Sequence, residues 1–430
     1  MDQIKVTDKL VVSAQPSLAA FADLKKEGFT ALINNRPDGE EKGQPQAATE
    51  RWTAKAAGLG YSFIPVSTDD ITEADARAFH EALNEAQGPV LAYCGSGLRS
   101  IVLYAIGEVL DGRMQAREVR AFGDGFGLDL APAVRWLASH EKQRPVVKGF
   151  FEPKTSSVQY IATDPQTGHC AIIDPVLDYN ERAGATATTS ADALLAHVAE
   201  QGLEIAWILD THPHADHFSA AHYLKEKTGA PMAIGAHVTE VQRLWKDIYH
   251  WPGFPADGSQ WDRLFKKDDR FAIGSLEARV LFSPGHTLAS ITYVVGDAAF
   301  VHDTLFMPDG GTARADFPGG SAQQLWTSIQ EILALPEKTR VFTGHDYQPQ
   351  GRQPRWESTV GEQKRANIHL AGKDEAAFVE LREARDRGLP MPALILESLQ
   401  VNMCGGRLPE PESNGRRYLK IPLNALDEAE

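Results

Sequence analysis

Seven consecutive residues, Thr211-His212-Pro213-His214-Ala215-Asp216-His217, constrain the fold of this chain more than any other stretch. They follow Ile205-Ala206-Trp207-Ile208-Leu209, an apolar run whose β-branched and aromatic side chains read as a buried strand. Three imidazoles and a carboxylate gathered behind a strand end point to a metal site, because these donors suit zinc or iron. In a turn at that position His212 and His214 converge on one ion, while Asp216 and His217 point towards a second. The alternative, a polar surface loop, leaves the downstream pattern without a reason.

That pattern has three parts. His286 lies in Ser283-Pro284-Gly285-His286-Thr287, where Pro and Gly enforce a tight turn. Asp303 follows Ala298-Ala299-Phe300-Val301, and His345 follows Val341-Phe342-Thr343-Gly344. Each candidate ligand sits just after a predicted strand, and strand ends on one edge of a sandwich can meet across large separations in sequence. The order and setting of these residues over 149–430 resemble the metallo-β-lactamase superfamily. That resemblance implies an αββα sandwich with its site between the loop ends of the sheets.

At 430 residues the chain exceeds one ordinary core, so two domains are expected. A hydrophobic fraction of 43% and a charged fraction of 23% are those of a soluble globular protein. The net charge of −15 argues against nucleic acid or an acidic membrane as partner, and an anionic substrate then needs a local basic pocket. Met1-Asp2-Gln3-Ile4-Lys5 has no apolar signal core, and no run of about 18 apolar residues occurs. Three cysteines suggest no disulfide framework, which fits a reducing cytoplasm. The oligomeric state, homo-oligomer included, stays open.

Residues 1–140 read as alternating helices and strands. An amphipathic helix over 17–27 closes at Gly28, and a strand follows over 29–34. A helix over 46–57 precedes a strand over 61–66; Thr72 caps a third helix with Asp75 as its capping-box partner. The strand Pro89-Val90-Leu91-Ala92-Tyr93 leads to a helix beginning near Arg99. Such alternation predicts an α/β domain with a parallel sheet covered by helices. The polar stretch Ser139-His140-Glu141-Lys142-Gln143-Arg144-Pro145 places the linker at 141–148 and the second domain at 149–430.

Between that last strand and helix lies Cys94-Gly95-Ser96-Gly97-Leu98-Arg99-Ser100. A thiol at a strand-to-helix turn meets backbone N–H groups at the positive end of a helix dipole, which favours thiolate, and Arg99 can clamp an oxyanion with its planar fork. Protein tyrosine phosphatases use a longer loop; four residues between Cys94 and Arg99 match the shorter loop of rhodaneses, which holds a Cys persulfide. Gly95 stands where rhodaneses often have Arg. The whole domain resembles the small phosphatase-like domain fused to metallo-β-lactamase-type enzymes, with a rhodanese-like loop. Sulfur transfer, phosphate chemistry and a purely structural loop are the three readings; Asp69 and Asp70 are either a phosphatase general acid or solvated loop charges.

Several segments narrow the second domain. Phe151-Glu152-Pro153, Ala171-Ile172-Ile173-Asp174-Pro175-Val176, Ala313-Arg314-Ala315-Asp316-Phe317, Thr343-Gly344-His345-Asp346-Tyr347 and Val401-Asn402-Met403 together resemble the persulfide dioxygenases. That resemblance implies one Fe(2+) held by His212, His286 and Asp303, with His214, Asp216, His217 and His345 orienting ligands or exchanging protons. It also implies glutathione persulfide, or a similar small persulfide, and O2 as substrates. A competing reading uses the full set for two Zn(2+): His212, His214 and His286 hold one, Asp216, His217 and His345 the other, and Asp303 bridges. Arg314 is the candidate anchor for a substrate carboxylate, against a structural contact with Asp316, and Tyr347 either donates to substrate or packs. The other histidines read as packed or surface residues, His302 least firmly, and Cys170 and Cys404 as incidental thiols.

The expectation is a bifunctional enzyme resembling the bacterial β-lactamase-hydrolase-like fusion proteins. Persulfide would be oxidised to sulfite in the second domain, and Cys94 would move sulfane sulfur between persulfide, sulfite and thiosulfate. Its rivals are a dinuclear zinc hydrolase, glyoxalase II-like or lactonase-like with a regulatory phosphatase-like domain, and a sulfide or redox sensor without turnover.

Overall fold

The computed structural model describes residues 3–68, 70–142 and 144–426, without the side chains of 140–142. The chain divides into two compact units, Met1–Glu141 and Lys142–Glu430. The expected linker overlaps the helix Ala131–Lys142 and the strand Val146–Glu152; Arg144 and Pro145 lie outside both, and Gln143 is outside the described residues.

In the first unit a five-stranded sheet runs in the order Gln3–Lys5, Leu10–Ala14, Val90–Cys94, Ala31–Asn34 and Gly60–Phe63. Only the Gln3–Lys5 edge strand is antiparallel to its neighbour. Val90–Cys94 is buried along its whole length, as a central strand covered on both faces must be. Its side chains alternate: Val90 and Ala92 pack with Phe79, Ile101 and Leu103, whereas Leu91 and Tyr93 pack with Phe21, Leu24 and Ala54. The helices Glu73–Glu85 and Leu98–Leu110 thus cover one face, and Phe21–Lys26 and Ala47–Ala56 the other.

Thr72 accepts the Asp75 N–H while the Asp75 carboxylate accepts the Thr72 N–H, completing the expected capping box. The helix expected over 17–27 begins with a tighter turn, Leu18–Ala20, before Phe21–Lys26. Leu10–Ala14, beside the cysteine strand, was not evident from sequence: five residues between short polar turns carry too little periodicity.

The second unit stacks two six-stranded sheets. The first runs Arg263–Phe265, Met232–Gly235, Glu204–Leu209, His169–Ile173, Ser157–Thr163, Val146–Glu152. The second runs Arg270–Ile273, Leu276–Phe282, Ile291–Val295, Ala298–His302, Arg340–Thr343, Glu357–Thr359. Tyr160, Ala171, Ile173 and Leu209 meet Tyr293, Phe300 and Phe342 between the sheets. The alternate residues Ile161, Ile172 and Ile208 face outward onto the helices Thr189–Glu200, Ala221–Thr228 and Val238–Ile248. Ala322–Leu333 and Glu375–Asp386 cover the outer face of the second sheet through Leu325, Ile329 and Phe378. This is the expected αββα sandwich, and its strand ends at Ile173, Leu209, Phe282, His302 and Thr343 carry the site.

Candidate metal centre

The loops after those strand ends bring the predicted ligands together. Donor atoms of His212, His286 and Asp303 lie within 4.8 Å of one another, as do those of Asp216, Asp303 and His345 and those of His214, Asp216 and His217. Asp303 Oδ2 stands 3.8 Å from His212 Nε2, 3.6 Å from His286 Nε2 and 3.3 Å from His345 Nε2. His345 Nε2 is also 3.4 Å from Asp216 Oδ2. One carboxylate oxygen is therefore shared by two adjoining clusters. Gly344 makes room for it, since a Cβ there would fall 2.7 Å from Asp303 Oδ1.

Neighbouring groups set which nitrogen of each ring faces the centre. His286 Nδ1 lies 2.8 Å from the Arg314 carbonyl, which can only accept, so Nδ1 carries the proton and Nε2 presents a lone pair. Thr211 Oγ1 occupies His212 Nδ1 at 3.1 Å. Asp216 Oδ2 and Ser157 Oγ occupy His217 Nδ1 at 3.0 and 3.2 Å. Asp174 Oδ1 takes His214 Nε2 at 3.1 Å. The atoms left over, His212 Nε2, His214 Nδ1, His217 Nε2 and Asp303 Oδ1, are buried without a hydrogen-bond partner. Each such atom costs about 1–3 kcal/mol unless something coordinates it. The donor set and its orphaned atoms fit a divalent cation.

Electrostatics agree with that fit at His212, His286 and Asp303, and not at His214 and His345. Burial pushes His212 and His286 below the ordinary imidazole range, leaving them neutral as ligands must be. Burial alone would protonate Asp303 and Asp216, but neighbouring imidazoles, His345 foremost, hold both below the usual carboxylate range. Burial likewise opposes protonation of His345 and His214; carboxylates outweigh it and raise them to about 10 and about 9. His302 packs its ring 4.7 Å from that of His212 at a left-handed φ of 37°, and burial pushes it to about 3. Its Nδ1 accepts the Asp303 N–H, so it forms a neutral wall.

Two supports were not evident from sequence. Asp174, at φ 50°, accepts Thr211 N–H at 2.7 Å and Thr211 Oγ1 at 2.8 Å while holding His214. Asn402, on the helix Ile395–Asn402, donates to the carbonyls of His214 and His217 at 2.8 and 2.7 Å and accepts Ser219 N–H at 2.7 Å. Both lie in segments that carried the family resemblance, Ala171-Ile172-Ile173-Asp174-Pro175-Val176 and Val401-Asn402-Met403, but their contacts reach parts of the chain distant in sequence.

Arg314 spends its fork on Asp316, at 2.6 and 2.7 Å, and on the Pro390 carbonyl. The structural contact, weighed against substrate anchoring, is the one present. Tyr347 is 60% exposed and stacks on His345 with ring centroids 5.5 Å apart. Cys170 is buried in its strand, and burial pushes its thiol up to about 12.

In the first unit, Cys94 is buried at the end of its strand and its Sγ accepts the Gly97 N–H at 3.1 Å. Gly97 caps the helix Leu98–Leu110 at φ 91°, a left-handed conformation that suits glycine. Arg99 reaches back over the loop to the Val66 carbonyl and Glu40. Asp70 is exposed and accepts from Ser67 Oγ at 2.8 Å; Asp69 lies outside the described residues.

Comparison with known proteins follows the same division. Residues 2–111 match the family described as "Beta-lactamase hydrolase-like protein, phosphatase-like domain", and 155–345 match the metallo-beta-lactamase superfamily. The chain is 63% identical over 426 residues to a "Beta-lactamase hydrolase-like protein" of Xylella fastidiosa (strain 9a5c), covering 99% of each. It is 30% identical over 289 residues to "Persulfide dioxygenase ETHE1, mitochondrial" of Bos taurus, covering 66% of this chain and 98% of that one. A crystal structure of ETHE1 from Myxococcus xanthus aligns with TM-score 0.50 and 31% identity, over 61% of this chain and all of its own (100%). The first unit matches as phosphatase-like, which corrects the rhodanese-like description of its loop: a shorter loop is set on a phosphatase-like scaffold. Among the described residues no helix is long and apolar enough to cross a membrane.

Proposed function

We propose, from the premise that this chain belongs to the β-lactamase hydrolase-like proteins, a phosphatase-like domain joined to a metallo-β-lactamase domain, that it is a two-part sulfur-handling enzyme of the cytoplasm. Residues 149–430 oxidise a small persulfide such as glutathione persulfide with O2 to sulfite. Residues 1–140 move sulfane sulfur through Cys94 to or from sulfite and thiosulfate.

The observation that carries this reading is the cluster His212, His286 and Asp303, two imidazoles and one carboxylate whose donor atoms lie within 4.8 Å of one another. Such a triad suits Fe(2+) and leaves positions open. When bound there, iron supplies a redox-active centre at which a sulfur anion and dioxygen react. The protein's own groups do the rest. Asp174 and Asn402 fix the loop, Arg314 fixes His286 through its carbonyl, and His345 Nε2, 3.3 Å from Asp303 Oδ2 and 3.4 Å from Asp216 Oδ2, orients both carboxylates.

Asp303→Asn is expected to abolish persulfide-dependent O2 uptake while sulfur transfer to cyanide or sulfite persists, and Cys94→Ser to do the reverse. Loss of both activities from either folded variant sinks the division of labour.

The adjoining cluster of Asp216, Asp303 and His345 favours a second reading, a two-zinc hydrolase acting on thioesters or lactones. Elemental analysis separates them: one iron per chain supports oxidation, and two zincs with thioester turnover support hydrolysis.

A further inference from the structure

The guanidinium that follows Cys94 is already engaged. Arg99 Nη1 donates to the Val66 carbonyl at 2.9 Å, Nη2 donates to Glu40 Oε2 at 2.8 Å, and Glu40 Oε1 lies 2.8 Å from Nη1. Glu40 Oε2 also accepts from Arg36 Nε at 2.6 Å, so one carboxylate bridges two guanidiniums. Arg36 is itself fixed, by Gln15 Oε1 at 2.8 Å and Glu41 Oε2 at 2.7 Å. The bridge sits beside the loop: a Cβ built on Gly95 would lie 3.5 Å from Arg99 Nη2 and 3.9 Å from Glu40 Oε2. Hydrogen bonding from Arg99 holds Glu40 below the usual carboxylate range, so its charge is present at neutral pH.

We propose that Glu40 is a specificity-determining residue of the Cys94 loop, which turns tetrahedral oxyanion dianions such as phosphate away from the thiol. A phosphate group carries a charge of about −1.5 to −2 at neutral pH and is gripped by pairing with an arginine fork. Here it has to displace a charge-assisted, two-oxygen contact and then lie against the displaced carboxylate. Sulfane sulfur carried on Cys94 has a backbone donor besides Arg99, because the Gly97 N–H already reaches Sγ. Thiosulfate is a tetrahedral dianion too, so Glu40 favours its release over its uptake and sets the direction of transfer from Cys94 towards sulfite. The inference rests on the reading of Cys94 as the reactive thiol and deepens it: a phosphatase-like scaffold is kept while phosphate is refused.

Calorimetric titration of the full chain with tungstate, and with inorganic phosphate, tests this. Wild type is expected to show no binding at millimolar anion, and E40Q and E40A to bind tungstate at least about tenfold more tightly, the effect of removing one charged competitor. The gain should vanish in E40Q/R99M, and E81Q, at an exposed carboxylate of the helix Glu73–Glu85 outside this network, should behave as wild type. Micromolar tungstate binding by wild type, or equal affinity in wild type and both Glu40 variants, overturns the proposal. The measurement needs no turnover, so it fails separately from the thiol reading: sulfur transfer retained by C94S defeats that reading, and equal tungstate affinities defeat the role of Glu40.

Discussion

His286 donates its Nδ1–H to the main-chain carbonyl of Arg314 across 2.8 Å, while the Arg314 guanidinium is held by Asp316 and lies 5.1 Å from the Phe317 ring centroid. The arginine therefore serves the site through its backbone, and its side chain fixes the loop that presents that carbonyl. Arg314→Ala is expected to weaken metal retention about tenfold or more, the usual effect of losing a group that orients a ligand. Chelator competition measures it. A raised KM for persulfide with unchanged metal affinity would instead restore the substrate-anchor role.

Asp174 makes the corresponding contact on the other side, gripping both Thr211 and His214. Asp174→Asn keeps its shape but removes the charge opposite His214. Metal affinity should fall about 10- to 100-fold in the same competition assay, with the far-ultraviolet circular dichroism unchanged.

The ion pair of Arg382 and Asp386 lies beneath the Arg314 loop, Arg382 being 1% exposed. Arg382 Nη1 donates to the Thr312 carbonyl and Asp386 accepts the Ala315 N–H, both at 2.9 Å. Breaking such a pair leaves a buried charge alone, so Arg382→Met should cost about 3–5 kcal/mol in urea unfolding. The double variant R382M/D386L should recover part of that loss. A cost under about 1 kcal/mol for the single variant would show that water reaches the pair.

His369 supplies a pH dependence. Burial, then Arg382, Arg385 and Lys373, push it from 6.5 to about 4, and its bare Nδ1 accepts the Thr312 N–H at 2.9 Å. Above pH 6.5 folded and unfolded chains both hold it neutral, and its stabilising contact is intact. As pH falls from 6.5 towards 4 the unfolded chain takes the proton first, so stability drops, and the loss levels off below the folded value. With allowance for solvent screening the loss is about 1–2 kcal/mol. His369→Gln, which can still accept from Thr312, should flatten this part of the curve of unfolding free energy against pH. Identical pH profiles for both proteins would count against the assignment.

The candidate ligands could be gathered from sequence because each follows a strand, and a strand end is a local signal. His212, His286, Asp303 and His345 each betray their position by an apolar run before them. Asp174 carried the same signal but is a carboxylate with no histidine beside it, so its grip on Thr211 emerges only when strands His169–Ile173 and Glu204–Leu209 pair in parallel. For Arg314 the sequence offered a contact with Asp316 beside substrate anchoring; the Asp316 contact is present, and Pro390, whose carbonyl arrives from 76 residues away, could not be read locally. In the first unit Cys94 was found from its glycines, whereas Glu40, 59 residues from Arg99, joins it only through the folded loop.

Asn402 ties the carbonyls of His214 and His217 to a helix that follows them by 188 and 185 residues. During synthesis the histidine-rich turn leaves the ribosome long before its fastening side chain exists. The turn therefore gains this fastening only after that helix is made, and a nascent chain arrested short of it would display its imidazoles without these two hydrogen bonds to arrange them.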